Sequence, residues 1–471
     1  MKRLTFHSGN RFIVILTFFS LLAILGFGGF QATDEHASSG HTDPVTPVLL
    51  ALTAILAGAK LGGELFERIK QPAVLGELLV GVLLGNLVLL NPAWDFFGPL
   101  RAEHVTEQWA VVIDIFARIG VILLLFEVGL ESSVAEMRKV GISSLLVALV
   151  GVVAPFFLGY LASSTFITKV PQTILEMNPE FDISNIHIFI GATLCATSVG
   201  ITARVFKDLG KLQIKEAKII LGAAVLDDVM GLIILAVAAG IIVAAETGVP
   251  LEPISILSIS GIALGFLVGA IIIGLTVVPR ILKWLAVLRT RGIMLISALL
   301  FCFIFSYVAN LAGLAAIVGA FAAGLILEEV HFTEFKEEKH LHELLTPVTT
   351  FLVPVFFVVM GIQVRLETFT DASVLGLAAA LSIAAFVGKQ VCGLAVIEKG
   401  LDRLTLGLGM VPRGEVGLIF ASIGKGLGVV DDSIFSAVVI MVIATTLITP
   451  PLLKFSLARS ERRMQTKNSM K

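Results

Sequence analysis

Charge is scarce in this chain. Of its 471 residues only 15% are Asp, Glu, Lys or Arg, against 56% hydrophobic, and the mean hydropathy is +0.97. A soluble domain covers its surface with roughly a quarter charged residues, so a water-facing globular protein is excluded. Cysteine is sparse too: Cys195, Cys302 and Cys392 lie far apart, each inside an apolar segment. That excludes a disulfide framework and leaves three small buried residues. The eight histidines show no HxxH or HExxH spacing, so no transition-metal centre is expected. A net charge of −2 offers no basic surface for nucleic acid. The short alternating strands of an outer-membrane barrel are missing as well.

What is present is a succession of apolar runs of about 20 residues, the length at which an α-helix crosses a bilayer. Thirteen are expected, near 46–66, 73–90, 110–130, 141–162, 188–206, 217–243, 255–284, 292–310, 314–329, 345–364, 373–396, 404–424 and 432–456. Basic residues collect in alternate loops: Arg68 and Lys70, then Arg138 and Lys139, then Arg204 through Lys218. The series continues with Arg280 to Arg291, Lys336 and Lys339, and Lys399 and Arg403, whereas the opposite loops hold only Arg101, Lys169, Arg365 and Lys425. Positive residues stay on the cytoplasmic side, so the first of these spans starts outside and the C-terminus is cytoplasmic. Residues 1–45 place Lys2, Arg3 and Arg11 before the apolar run Phe12–Phe30, the pattern of a signal peptide or of one extra helix. Residues 46–456 form the transmembrane domain. Residues 457–471 form a basic cytoplasmic tail, too short for a folded regulatory or nucleotide-binding domain.

The second half of the chain echoes the first. Leu125-Phe126-Glu127-Val128-Gly129-Leu130 is matched by Phe357-Val358-Val359-Met360-Gly361-Ile362, and Thr197-Ser198-Val199-Gly200-Ile201 by Gly414-Glu415-Val416-Gly417-Leu418. The fifth span enters the cytoplasm and the twelfth leaves it, so the copies are inverted, an arrangement that puts a transport site at the repeat interface near the midplane. Both echoed segments make poor continuous helices. Gly191–Arg204 concentrates small and hydroxylated residues, and Gly407–Gly417 carries Pro412 among its glycines. Backbone broken at membrane depth is tolerated only where it lines a cavity or is buried in protein, and its freed ends then face an ion.

The sixth span carries the chemistry. Asp227 and Asp228 sit within the apolar run Ile219–Ala245. One ionised carboxylate at a helix centre costs about 2.5–3.5 kcal/mol on insertion scales, and two adjacent acids signal function rather than packing. Lys389, deep in the eleventh span, is too far from either end to snorkel and is the natural partner for one of them. Acids and lysine then titrate as a unit, so protons and a cation compete for one site. The other intramembrane charges are Lys60, Glu77, Asp114, Arg118, Glu127, Arg413 and Glu415. Asp114 and Arg118 stand at i,i+4 and pair locally. Arg413 and Glu415 fix the geometry of the broken helix, and Glu127 and Glu77 are candidates for the cytoplasmic funnel.

These segments resemble the cation:proton antiporter-2 family, in particular its NapA-type Na⁺/H⁺ exchanger branch. The resemblance rests on Gln71-Pro72 through Gly85, the Gly191–Gly210 broken helix, Leu226-Asp227-Asp228, Gly388-Lys389 and Pro412-Arg413-Gly414-Glu415-Val416-Gly417, and covers roughly residues 46–456. It implies an all-α membrane protein with an NhaA-like fold: thirteen transmembrane helices, inverted repeats, two crossing discontinuous helices in a six-helix core, and a panel carrying a homodimer contact. It also implies that Asp228 binds the cation, that Asp227 forms a breakable ion pair with Lys389, and that Thr197 and Ser198 help coordinate at the crossover. Paired aspartates mark the electrogenic members of the family. Kef-type relatives lack the double acid and carry a cytosolic nucleotide-binding domain, which counts against a gated K⁺ efflux system.

The expected function is therefore electrogenic exchange of Na⁺ or Li⁺ for protons by alternating access, in a bacterial inner membrane, with no cofactor and with a second copy and the bilayer as partners. A K⁺/H⁺ exchanger of the same fold is the first alternative, since oxygen ligands suit both ions. A sodium-coupled organic-anion symporter is a more distant one, disfavoured by the buried Asp-Asp and Lys389. An intramembrane enzyme would need a nucleophile–base pair or a Gly-Asp protease motif, and neither is found.

Overall fold

The computed structural model describes residues 45–469 apart from 70, 102–105, 132–140, 178, 180, 212–213, 247–260, 263–264, 267, 271, 275, 288–291, 313 and 328–340. Residues 1–44, expected as a signal peptide or extra helix, lie outside the described residues, as does the first part of the expected seventh span. The regular structure described is helical throughout, as a lipid-embedded chain requires, because only intrahelical bonds satisfy its backbone there.

In chain order the helices are α1 (Val45–Arg68), α2 (Ala73–Gly85), α3 (Gln108–Glu131), α4 (Ile142–Phe166) and α5 (Ile183–Thr193). Next come α6 (Val199–Asp208), α7 (Lys215–Glu246), α8 (Val278–Ala286), α9 (Ile293–Leu311) and α10 (Ala316–Ile326). The series closes with α11 (Leu341–Ile362), α12 (Ala372–Cys392), α13 (Arg403–Gly409), α14 (Gly414–Gly426) and α15 (Asp432–Ser469). Among the described residues eight helices are long and apolar enough to cross a membrane, or nine if Val268–Gly274 and Val278–Leu285 count as one bent span. The chain is an all-helical, multi-span membrane protein. Its lipid-facing character shows on α9, where Ile296, Leu300, Phe303, Tyr307 and Leu311 are exposed.

Several boundaries differ from expectation. The fifth span begins at Ile183 rather than near 188 and is two half-helices, α5 and α6; the twelfth is likewise split into α13 and α14. The Asp182 side chain accepts from Ser184 N at 2.9 Å, and this N-cap sets the earlier start. The last helix runs to Ser469, past the expected end at 456. Residues 456–469 lack Gly and Pro and carry three Arg beside single Leu, Ala, Glu, Met, Gln and Lys residues, so helix propensity carries the element beyond its apolar stretch.

The chain divides into two compact units, residues 1–120 with 351–363, and residues 121–350 with 364–471; the division falls inside α3 and α11. In the first unit α1 packs on α2 through a small-residue face of Ala51, Gly58, Ala59, Gly62 and Gly63. In the second, α4 packs on α12, α5 and α7, while α15 packs on α12 and α14. A buried cluster of Val147, Phe206, Ile220, Leu406, Met410 and Leu453 joins α4, α6, α7, α13 and α15.

The contact between α4 and α12 positions Lys389. A Cβ at Gly388 would stand 2.8 Å from the Pro155 Cα and 2.9 Å from its nitrogen, so only glycine permits this approach. Gly388→Val is expected to force the two helices apart and to cost about 1–3 kcal/mol, the range for overpacked cores. Thermal unfolding of the detergent-purified variant checks this; an unchanged midpoint contradicts it.

Candidate functional site

Two helix breaks meet in the second unit. The first lies between Thr193, where α5 ends, and Val199, where α6 begins; the second separates Gly409 from Gly414. Pro412 cannot donate to a helical ladder, and the glycines of α13 weaken the turn before it. In the first break, Thr and Ser offer the backbone alternative partners. The breaks are stitched together: Ser198 N donates to the Pro412 carbonyl at 2.8 Å, and the Thr197 hydroxyl donates to the Met410 carbonyl at 3.2 Å. Thr202 donates to the Gly409 carbonyl at 2.7 Å, and Arg413 Nη1 donates to the Ala196 carbonyl. Polar groups freed by each break are thus satisfied by the other. Gly414 has φ +37°, and a Cβ there would lie 2.5 Å from the Ser198 hydroxyl, so the position requires glycine.

Against this crossover stands a buried ion pair. Asp227 on α7 and Lys389 on α12 are both fully buried, and Lys389 Nζ donates to Asp227 Oδ1 at 3.0 Å. The second carboxylate oxygen, Asp227 Oδ2, has no hydrogen-bond partner among the described residues, and neither have Nε and Nη2 of Arg413. Arg413 is fully buried, and the carboxylate of Asp227 acts on it electrostatically. One acid with an open acceptor is therefore paired with one buried cation and under the field of a second, an arrangement with electrostatic consequences for any ion that enters. Cys392 donates its thiol to the Lys389 carbonyl at 2.7 Å; Cys195, Cys302 and Cys392 are all free and buried.

The remaining expected site residues distribute as follows. Asp228 is the next residue of α7 and Glu415 lies in the first turn of α14, but both side chains fall outside the described residues. Glu127, expected near a funnel, pairs with His342 at 3.3 Å. Glu77, the other funnel candidate, is buried on α2, under the field of Lys60 in the same unit. Asp114 accepts from Arg118 at 2.7 Å, the local pair its spacing suggests.

Sequence reasoning missed three features. Thr202 holds the second crossover carbonyl; a hydroxyl one turn beyond the break was its only signal. Asp432 bridges Arg365 and Lys425, at 2.7 Å each, charges that sequence alone marks only as loop residues. Beside it Asp431 caps α15 through Ile434 N at 2.8 Å, and burial pushes its carboxyl above the usual range. Glu398, in the loop after α12, is held below the ordinary carboxylate range by the Ser143 hydroxyl.

The family described as "Sodium/hydrogen exchanger, transmembrane" matches residues 48–458. The high-affinity Na⁺/H⁺ antiporter NhaS3 of Synechocystis is 40% identical over 441 residues, covering 86% of this chain and 89% of that protein. The Na⁺/H⁺-K⁺ antiporter GerN of Bacillus cereus is 34% identical over 419 residues, covering 88% and 97% respectively. In fold, the chain resembles the sodium proton antiporter MjNhaP1 of Methanocaldococcus jannaschii, with a TM-score of 0.58 at 16% identity, over 88% of this chain and 99% of that one.

Removing one partner of a buried pair leaves an uncompensated charge and costs about 3–5 kcal/mol, whereas replacing both is often neutral. Asp227→Asn and Lys389→Met are each expected to lower the unfolding midpoint, and the double variant to regain most of the loss. A double variant no more stable than the worse single one contradicts the pairing energetics.

Proposed function

We propose, since the chain belongs to the sodium/hydrogen exchanger family, that it exchanges Na⁺ for protons across a bacterial inner membrane, electrogenically and by alternating access. The observation that carries this reading is the fully buried Lys389–Asp227 pair set against two stitched helix breaks. An ion pair in that position is held by mutual charge: Lys389 stays protonated chiefly while Asp227 is ionised. A cation arriving at Asp228 and Asp227 weakens the hold on the lysine proton, and a proton arriving at the acids displaces the cation. Two acids and one lysine thereby couple the two flows, with more protons than cations moved per cycle.

Each residue has a role in that cycle. Asp228 binds the cation directly. Asp227 alternates between Lys389 and the transported ion or proton. Thr197 commits its hydroxyl proton to the Met410 carbonyl, which leaves its oxygen lone pairs to the cation, and Ser198 supports it. Arg413 and Glu415 hold the broken helix, and Glu127 and Glu77 serve the approach from the cytoplasm. The architecture we assign is thirteen spans over residues 46–456, as inverted repeats with crossing discontinuous helices. It has a cytoplasmic C-terminus and a dimer panel that pairs two copies.

A second reading keeps K⁺ as a substrate, because one relative at 34% identity is a Na⁺/H⁺-K⁺ antiporter and oxygen ligands accept either ion. Nothing in the site favours an organic-anion symporter.

The test is cation-dependent proton flux by purified protein in liposomes, with Li⁺, Na⁺ and K⁺ compared. Na⁺ and Li⁺ are expected to drive flux well above K⁺; equal flux with K⁺ favours the second reading. Asp228→Asn and Asp227→Asn are expected to abolish exchange, and Lys389→Ala to retain only weak exchange. Unimpaired flux in Asp228→Asn overturns the site assignment.

A further inference from the structure

The half-helix α13 is only seven residues long, far short of the ~12–15 residues at which an isolated helix holds itself together in water. Its placement must come from its surroundings, and at its N-terminal end those converge on one acid. Asp402 Oδ2 accepts from the Thr405 hydroxyl at 2.8 Å and from the Ser456 hydroxyl at 3.0 Å. Its Oδ1 accepts from Arg459 Nη2 at 3.3 Å, and its backbone N–H donates to Glu216 Oε1 at 3.1 Å. The Thr405 and Ser456 oxygens lie 2.8 Å apart, so either hydroxyl can turn from the carboxylate to the other. One residue thus ties α13 to α15 on one side and to the first turn of α7 on the other.

Both tethered helices lead to the ion site. From Glu216, α7 runs eleven residues (227 − 216) to Asp227. At its far end α13 delivers the Gly409 and Met410 carbonyls that hold Thr202 and Thr197. Between Asp402 and those carbonyls lie two helical turns, the whole of α13. We propose that Asp402 is a positioning residue for the ion site: by bonding α13 to α15 and α7 it sets how the half-helix presents its carbonyl end to the crossover. This rests on the exchange reading above and deepens it, because it assigns cation affinity in part to a residue that touches no ion. The Ser456 and Arg459 contacts also give a role to the stretch of α15 at and beyond its expected end.

A residue that only stabilises the fold would lower the amount of active protein and leave apparent KM alone. A positioning residue changes KM. In liposomes, Asp402→Ala is expected to raise the apparent KM for Na⁺ about tenfold, on the scale of one lost hydrogen bond to a charged group, with the maximal rate per folded protein falling less than about threefold. Asp402→Asn keeps acceptors for both hydroxyls and is expected to restore KM to within about threefold of the wild type. If Asp402→Ala does not yield monodisperse protein, Thr405→Val with Ser456→Ala decides by the same KM criterion. An unchanged KM in the alanine variant, or in the paired variant in its place, overturns the proposal, as does an asparagine variant no better than alanine. Wild-type protein showing no Na⁺-dependent flux would instead sink the exchange reading itself.

Discussion

The constraint on which the structure depends is a lysine and an aspartate paired where no water reaches them. Lys389 and Asp227 are fully buried and 3.0 Å apart, and desolvating two such charges costs several kcal/mol per ion. Packing alone gives no reason to keep them, since apolar residues of similar volume would serve stability as well or better. What the pair provides is a charge state that depends on its neighbours. Asp227 keeps an open acceptor and also acts on the buried guanidinium of Arg413, so that state depends on two cations rather than one.

The helix breaks make the pair useful. A continuous helix would present only side chains to the site, whereas two broken ones bring backbone carbonyls and hydroxyls to the same depth. The cost of broken backbone is offset because each break satisfies the other, through Ser198 with Pro412 and Thr197 with Met410. The glycines at 388 and 414 let α4 approach α12 and let Ser198 approach α14, so the ion pair and the crossover share one tightly packed region of the second unit. Rigid packing of this kind holds discrete arrangements better than graded ones, which suits a protein that alternates between two of them.

Much of this was legible in the sequence, for identifiable reasons. Charged residues are so rare inside apolar runs that Asp227, Asp228 and Lys389 stand out without any structure. Pro412 with its glycines, and the Thr197-Ser198 cluster, announce where helices fail. Less legible was anything set by pairing between segments distant in sequence. Asp402, Arg459 and Glu216 look like ordinary charges at span ends, as do Arg365, Lys425 and Asp432, and only folding brings them into contact. The partner of Glu127, His342, was equally hidden, because a carboxylate near a helix end does not reveal which neighbouring helix will face it. Boundaries slipped for a simpler reason: hydropathy marks where the bilayer ends, while caps such as Asp182 and helix formers beyond 456 decide where the helix ends.

The account stands on protons and a cation competing for one buried set of charges. The most direct test is proton release on Na⁺ binding to detergent-purified protein, followed with a pH indicator in weakly buffered solution. The account predicts more than one proton released per Na⁺ bound by the wild type, and fewer by Lys389→Met. Stoichiometric Na⁺ binding with no proton release, or release unaltered by loss of the lysine, would contradict it.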